Sequence, residues 1–448
     1  MHEKIGFISL GCPKNQVDSE LMLEKLDAAG FEIIDTAFGA DIVIINTCGF
    51  IEDAQKEAID NILEMVELKN QGEVGKIIVL GCLAERFRDE ILKEIPEVDA
   101  VGGLGVNGDI VEFVKNVLKQ EETSRYPDKE TMPISGKRIL TTPSHWAYLK
   151  ISDGCDNCCT YCAIPSIRGR FRSRPMDEIL FEAKALAGAG VRELIVIAQD
   201  TTRYGEDLHG KPMLDVLLQE LDKIDGIEWI RILYCYPDRI TDSLLETMAK
   251  CKKVLHYIDL PLQHASGKIL QAMNRRGDEK TLLALIEKIR SYMPDCIIRT
   301  TFITGFPGET EEDFEILSQF VSDARFDRLG CFAYSPEEGT PAALLPDRVS
   351  PETAKHRGEI IMEQQFGIFT EKLESFVGKE LDCIIEDYDP YSDSYSGRTW
   401  MDAPEIDSGV GIISSRELVI GSTVRVLITA VNGYDLIGDA DEAVTNDK

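Results

Sequence analysis

Cys155, Cys159 and Cys162 stand in the stretch SDGCDNCCTYCAIPSIRGRFRSRP with the spacing C-x3-C-x2-C. Three thiolates on so short a loop can hold three irons of a cubane cluster and leave the fourth iron without a protein ligand, open to chemistry. Counting Cys158 as well gives C-x2-C-C-x2-C and a four-sulfur zinc site as the competing reading, although adjacent Cys158 and Cys159 would then have to turn onto one ion. A second set of thiols is spread along the amino-terminal third. KIGFISLGC ends on Cys12, DIVIINTC on Cys48 and KIIVLGC on Cys82. A buried cysteine explains itself as a small hydrophobe. Three cysteines, each directly after an apolar strand, point instead to a metal or cluster site.

The elements that must position these thiols follow from the pattern around them. Runs of β-branched and leucine residues without polar alternation suit strands buried on both faces of a parallel sheet. Between them, VDSELMLEKLDAAG and EDAQKEAIDNILEMVELK carry apolar residues at helical spacing. Right-handed crossovers place the carboxyl ends of such strands along one edge, where open α/β sheets put their ligands, so Cys12, Cys48 and Cys82 are expected to converge. From about residue 147 the strands AYLKIS, ELIVIAQ, WIRILYC, HYIDLPLQ, IIRTTFITG and RLGCFAYS alternate with helical segments. Six such alternations predict a partial, open (β/α) barrel of the TIM type. Beyond the long helical pattern after Pro351, short alternating strands with Gly and Asp-Pro punctuation predict a small antiparallel β-barrel.

The fold class is therefore α/β, with divisions expected at 1–120 for the amino-terminal domain, 121–143 for a linker, 144–376 for the barrel with its trailing helix, and 377–445 for the small β-barrel. The sequence has 448 residues, 44% of them hydrophobic and 28% charged, as in an ordinary soluble protein. Its amino end lacks a basic segment followed by an apolar stretch, and no apolar run is long enough to span a bilayer, so a cytoplasmic location without membrane contact is expected. Twelve cysteines are too sparse for a disulfide scaffold. The net charge of −31 opposes broad binding to nucleic acid. The segment from Val377 to Lys448 holds 15 acidic and 5 basic residues, a net of −10 that favours a basic partner.

The C-x3-C-x2-C loop after the first barrel strand, with Tyr161 just before the last cysteine, resembles that of the radical S-adenosylmethionine enzymes. Strand-end cysteines, this barrel and a terminal β-barrel together are similar to the methylthiotransferases, whose last module is called TRAM. GCPKNQVDSE around Cys12 and AIPSIRG after Cys162 resemble the RimO branch, which modifies a ribosomal protein, more than the transfer-RNA branch, MiaB. The resemblance implies two 4Fe-4S clusters, one on Cys155, Cys159 and Cys162 and an auxiliary one on Cys12, Cys48 and Cys82, with no catalytic side chain beyond these ligands. It implies that an electron cleaves S-adenosylmethionine to a 5′-deoxyadenosyl radical, and that sulfur, methylated by a second S-adenosylmethionine, passes from the auxiliary cluster to the substrate carbon. The implied substrate is the β-carbon of an aspartate in small-subunit ribosomal protein 12, free or on the ribosome. An electron donor is a required partner, and transfer RNA is the disfavoured alternative substrate. A non-enzymatic cluster carrier would need neither the barrel nor a recognition module.

The expected contacts to S-adenosylmethionine are Tyr161, Gln199 at a strand end, and Thr304 and Gly305 in TGFPGET, which resembles the family's cofactor loop but departs from its pattern by one residue. Arg168, Arg170, Arg172 and Arg174 form a basic island that suits either anion binding or internal ion pairs. His264 is assigned no chemical role. GGLGVNG from Gly102 to Gly108 reads as a tight turn rather than a dinucleotide loop. Cys235, Cys251, Cys296, Cys331 and Cys383 read as packing residues.

Overall fold

The computed structural model describes residues 3–441. The first sheet contains β1 (Lys4–Ser9), β2 (Glu32–Ile34), β3 (Ala40–Thr47), β4 (Val74–Gly81), β5 (Ala100–Gly102) and β6 (Ser124–Arg125). They lie in the order β2-β1-β3-β4-β5-β6, and every pairing is parallel. The unbroken apolar runs of β3 and β4 are explained by what each face meets. Val43, Ile45, Ile77 and Val79 pack on Ala58, Ile62 and Met65 of the helix Glu52–Asn70. Their neighbours Ile42, Ile44, Ile78 and Leu80 pack on the opposite side with Met22 and Leu26 of the helix Pro13–Ala28 and Phe113 and Val117 of the helix Ile110–Leu118. Successive side chains point to opposite faces, so a strand covered on both sides needs apolar residues at every position.

The barrel strands follow the expected segments closely: β7 (Trp146–Lys150), β10 (Glu193–Ile197), β11 (Trp229–Ile232), β12 (Val254–Asp259), β13 (Ile297–Thr304) and β14 (Arg328–Ala333). Their order is β14-β13-β12-β11-β10-β7, an open six-stranded sheet, parallel through β11 to β14. A short antiparallel pair, β8 (Ser152–Asp153) with β9 (Arg172–Ser173), closes the base of the C-x3-C-x2-C loop. The terminal strands β15 (Glu380–Asp389), β16 (Ser394–Arg398), β17 (Val410–Ile413), β18 (Thr423–Asn432) and β19 (Asp435–Asp439) form a closed barrel in the order β15-β16-β17-β19-β18. Four of its pairings are antiparallel and β17 with β19 is parallel, so the closing strand returns beside β17 instead of continuing a meander.

Two compact units emerge. The first comprises Met1–Gly188, Val196–Met213 and Ser335–Leu344; the second comprises Ala189–Ile195, Leu214–Tyr334 and Leu345–Lys448. Both cysteine triads belong to the first. In the second, the terminal barrel is anchored by buried ion pairs: Arg231 Nε lies 2.8 Å from Glu193 Oε1, and Arg398 Nη2 lies 2.8 Å from Glu193 Oε2. The Arg398 approach is a close ion pair without the alignment of a hydrogen bond. Arg231 also donates to the Trp400 carbonyl at 3.0 Å, and Arg328 pairs with Asp402 at 2.6 Å. Among the described residues no helix is long and apolar enough to cross a membrane.

Candidate functional site

Each strand-end thiol sits at a backbone junction. Cys12 is the N-cap of the helix Pro13–Ala28, Cys48 directly follows β3, and Cys82 opens the helix Cys82–Phe87 after β4. The Leu10 amide donates to the Asn46 carbonyl at 2.9 Å, tying the loop before Cys12 to the end of β3. They approach so closely that a Cβ on Gly11 would stand 2.5 Å from Cys48 Cβ and 3.0 Å from its sulfur. The thiols interact electrostatically. Burial pushes Cys82 up to about 12, with Arg168 opposing and Cys48 and Cys12 adding to the rise. Cys48 is raised by burial and by Cys12. Burial also opposes ionisation of Cys12, yet Lys14, Arg168 and the amides of the following helix turn outweigh it and lower its pKa.

The C-x3-C-x2-C loop is shaped by its ends. Gly154 adopts φ +75°, and a Cβ there would lie 2.0 Å from the Arg170 carbonyl oxygen, so only glycine lets the loop leave β8. The Cys155 amide donates to Gly169 and the Cys162 amide to Cys159, at 3.2 and 3.0 Å. Asn157 donates its amide to Cys155 Sγ at 3.5 Å and its side-chain nitrogen to Asp200 at 2.8 Å. Burial raises Cys155 to about 12. Cys158, in contrast, is exposed with φ +51°.

No disulfide joins the described cysteines, and no three Cys, His, Asp or Glu side chains among the described residues surround a single-ion site. A cubane takes each thiolate on a different iron, so its ligands stand farther apart than those of one ion. Two sets of three thiols, each gathered from short loops at strand ends, have the donor chemistry such clusters require. Changing Cys158 to Ser is expected to leave metal content unchanged, as measured by iron, sulfide and zinc analysis. Loss of metal would favour the four-sulfur zinc reading.

The other expected residues fall in both units. In the first, Tyr161 is half-buried, and Gln199 donates to Asp153 at 3.0 Å while its Oε1 is buried without a partner. In the second, Thr304 Oγ1 donates to the Ala354 carbonyl at 2.9 Å and the Gly305 amide to Glu309 at 2.8 Å. Gly305 has φ +74°, and a Cβ would strike Ala354 Cβ at 2.1 Å. His264 accepts from the Ser266 amide at 2.9 Å and lies 3.4 Å from Glu309. The arginine island divides. Arg168 and Arg174 are buried against Asp18, Asp153 and Glu182, Arg172 serves backbone carbonyls, and Arg170 is exposed. The segment Gly102 to Gly108 ends in a 3-10 turn, Leu104–Gly108.

Sequence reasoning passed over a strap within the first unit. Glu337 accepts from the Glu52 amide at 3.2 Å, from Gln55 at 3.1 Å and from Arg86 at 2.9 Å, and Arg86 also donates to the Gly49 carbonyl at 2.9 Å. Ala342 of the same segment donates to the Thr160 carbonyl at 2.9 Å. One stretch thus braces the residues after Cys48 and the loop between Cys159 and Cys162. No local motif marks it, because its partners are about 180 to 290 residues away.

Comparison with known proteins accords with this geometry. Residues 4–103 match the model of the uncharacterized protein family UPF0004, residues 149–321 the radical SAM superfamily, and residues 377–440 the TRAM domain. The protein named ribosomal protein uS12 methylthiotransferase RimO from Lachnoclostridium phytofermentans is 49% identical over 98% of this chain and 100% of its own. The chain belongs to the RimO family. A second RimO protein, from Desulfitobacterium hafniense, is 46% identical over 98% of this chain and 99% of its own. Among solved structures, the radical S-adenosylmethionine methyltransferase TsrM of Kitasatospora setae superposes with a TM-score of 0.58 at 12% identity, covering 85% of this chain and 81% of that one, a likeness of fold.

Proposed function

We propose that the protein is a radical S-adenosylmethionine methylthiotransferase that adds a methylthio group to the β-carbon of an aspartate in ribosomal protein uS12. The observation that carries this reading is near-full-length identity of 45–49% to proteins named for that activity. In this reading 1–120 is the domain of the auxiliary cluster, 121–143 a linker, 144–376 the radical barrel and 377–445 the TRAM module. Cys155, Cys159 and Cys162 hold one 4Fe-4S cluster, and Cys12, Cys48 and Cys82 hold the second. Tyr161, Gln199, Thr304 and Gly305 contact S-adenosylmethionine. When bound, the clusters and cofactor supply the electron, the radical and the sulfur that no side chain provides. The chain's own residues orient these groups: the Asn157 amide points at Cys155, and the Glu337 strap ties down both cysteine loops. An electron donor completes the cycle, and the cytoplasm is the compartment that suits both thiols and substrate.

The test is anaerobic reconstitution with iron and sulfide, followed by reductant, S-adenosylmethionine and either uS12 or an isopentenyl-adenosine transfer RNA, with products read by mass spectrometry. Modification of the RNA with uS12 untouched would overturn the substrate assignment.

Recognition of a basic protein is proposed to use the acidic surface of the terminal barrel. Its acids are not equivalent: Asp402 and Asp407 are buried and paired with Arg328 and Arg299, whereas Glu380, Asp382, Asp387, Asp389 and Asp393 are exposed. The buried pair therefore belongs to stability, and the exposed acids are the ones available to a partner. Reversing the exposed set to lysine is expected to weaken uS12 binding about tenfold at low salt and to leave S-adenosylmethionine cleavage unchanged. Unchanged affinity across a salt series would show that recognition lies elsewhere.

A further inference from the structure

Next to the strand-end cysteines lies a buried charge group with no part in the reading above. Asp18, Lys150, Asp153 and Arg168 are each at most 2% exposed. Lys150 Nζ bonds Asp18 and lies 3.0 Å from Asp153 Oδ2. Arg168 Nη1 lies 2.9 Å from Asp18 Oδ2 and 3.1 Å from Asp153 Oδ2, and its Nη2 donates to Asn15 Oδ1 at 3.4 Å. Asn15 in turn donates to the carbonyls of Leu10 at 2.7 Å, Asn46 at 3.3 Å and Thr47 at 3.4 Å. Leu10 belongs to the loop that carries Cys12, and Asn46 and Thr47 end β3 directly before Cys48. On the third side, Ile167, the neighbour of Arg168, packs with Ala163 and Cys82 in one apolar cluster.

The arginine therefore stands one amide from the backbone that leads into Cys12 and Cys48, and its neighbour Ile167 packs beside Cys82. Two carboxylates and two cations balance within the group, so negative charge on Cys12, Cys48 and Cys82 is a surplus in a low-dielectric interior. A guanidinium does not surrender its proton there, and of the two cations in the group it is Arg168 that bonds Asn15. The mutual effects are visible: burial disfavours the Arg168 charge, but Cys82, Asp153, Asp18 and Cys12 raise its pKa well above the ordinary value.

We propose that Arg168 is a positioning residue that raises the reduction potential of the auxiliary cluster. The proposal rests on Cys12, Cys48 and Cys82 being the ligands of that cluster. The step concerned is a one-electron reduction of a 4Fe-4S core from the 2+ to the 1+ state. The electron comes from the titrating reductant, and no bond or proton is exchanged. Reduction adds one negative charge beside the guanidinium, which therefore stabilises the reduced form more than the oxidised one. Asp18 and Asp153 oppose this by drawing on the same cation.

The test uses the full chain with Cys155, Cys159 and Cys162 replaced by alanine, reconstituted and titrated potentiometrically with electron paramagnetic resonance detection. Arg168→Gln in this background is expected to lower the reduced-to-oxidised ratio at a fixed poise about tenfold, a shift of about 59 mV for one electron. Asp153→Asn, which frees Arg168 from a competing carboxylate, is expected to move the ratio the other way, and Arg168→Lys to stay nearer the parent. Unshifted potentials in both Arg168→Gln and Asp153→Asn, at full iron and sulfide content, overturn the proposal. Should Arg168→Gln fail to assemble a cluster, Asp153→Asn decides: a raised potential supports the role, and an unchanged or lowered one refutes it. Absence of any cluster with Arg168 intact refutes the ligand assignment itself, which metal analysis distinguishes from an unshifted potential.

Discussion

Replacing Cys155, Cys159 and Cys162 together with alanine is expected to abolish 5′-deoxyadenosine formation while leaving one cluster, about four of roughly eight irons, on the chain. Each alanine removes a thiolate from a different iron, and no neighbouring thiol is placed to replace all of them. Cys158 is exposed and adjoins Cys159, so it offers one sulfur at most. The complementary replacement of Cys12, Cys48 and Cys82 should leave deoxyadenosine formation measurable and reduce methylthiolated product to background, because the two sets sit on separate loops. Iron and sulfide analysis with chromatography of both products checks the pair. Finding only one cluster in the intact protein, or identical phenotypes for the two triple variants, would sink the two-site reading.

The largest expected loss of stability comes from Glu193→Ala. Glu193 is wholly buried between Arg231 and Arg398, themselves at most 5% exposed, and its removal takes away the carboxylate that both guanidinium groups share. Breaking a buried ion pair from one side costs about 3–5 kcal/mol, although Arg398 keeps Glu386, at 2.7 Å, as an acidic partner. Chemical denaturation monitored by circular dichroism measures the change, and a loss below about 1 kcal/mol would show that the arginines find water or new partners. The same site makes stability acid-sensitive. Burial works against the Glu193 charge, but Arg398 and Arg231 hold its carboxyl below the usual value. A lowered folded pKa means that its contribution is present above the unfolded value, about 4.3, and is lost as the pH falls through the folded one. Glu193→Ala should therefore narrow the stability difference from the parent in acid.

Local chemistry and periodicity determined much of this protein by themselves. The C-x3-C-x2-C spacing identifies a three-thiolate loop because loop length limits where its sulfurs reach. The apolar runs of β3 and β4 mark strands covered on both faces, and six strand-helix alternations mark the barrel, because a packed layer imposes its period on every residue it covers. The placement of Cys12, Cys48 and Cys82 at the carboxyl ends of adjacent strands was legible as well, through a topological rule: parallel strands joined by right-handed crossovers put those ends on one edge.

What only the tertiary structure decided is which charges meet. Asn15 and Asp18 look like ordinary polar residues of the opening helix, yet they meet Arg168 from some 150 residues away. Asp402 and Asp407 count toward an acidic surface in any tally of composition and turn out to be buried partners of arginines. The four arginines of RGRFRSRP alternate evenly in sequence but divide into buried ion pairs, a backbone clamp and an exposed side chain. The strap through Glu337 carries no motif at all. An ion pair depends on where two distant backbones come together, and one residue's type says only that it needs a partner, since burial without one is too costly. The partner's identity is a property of the assembled fold.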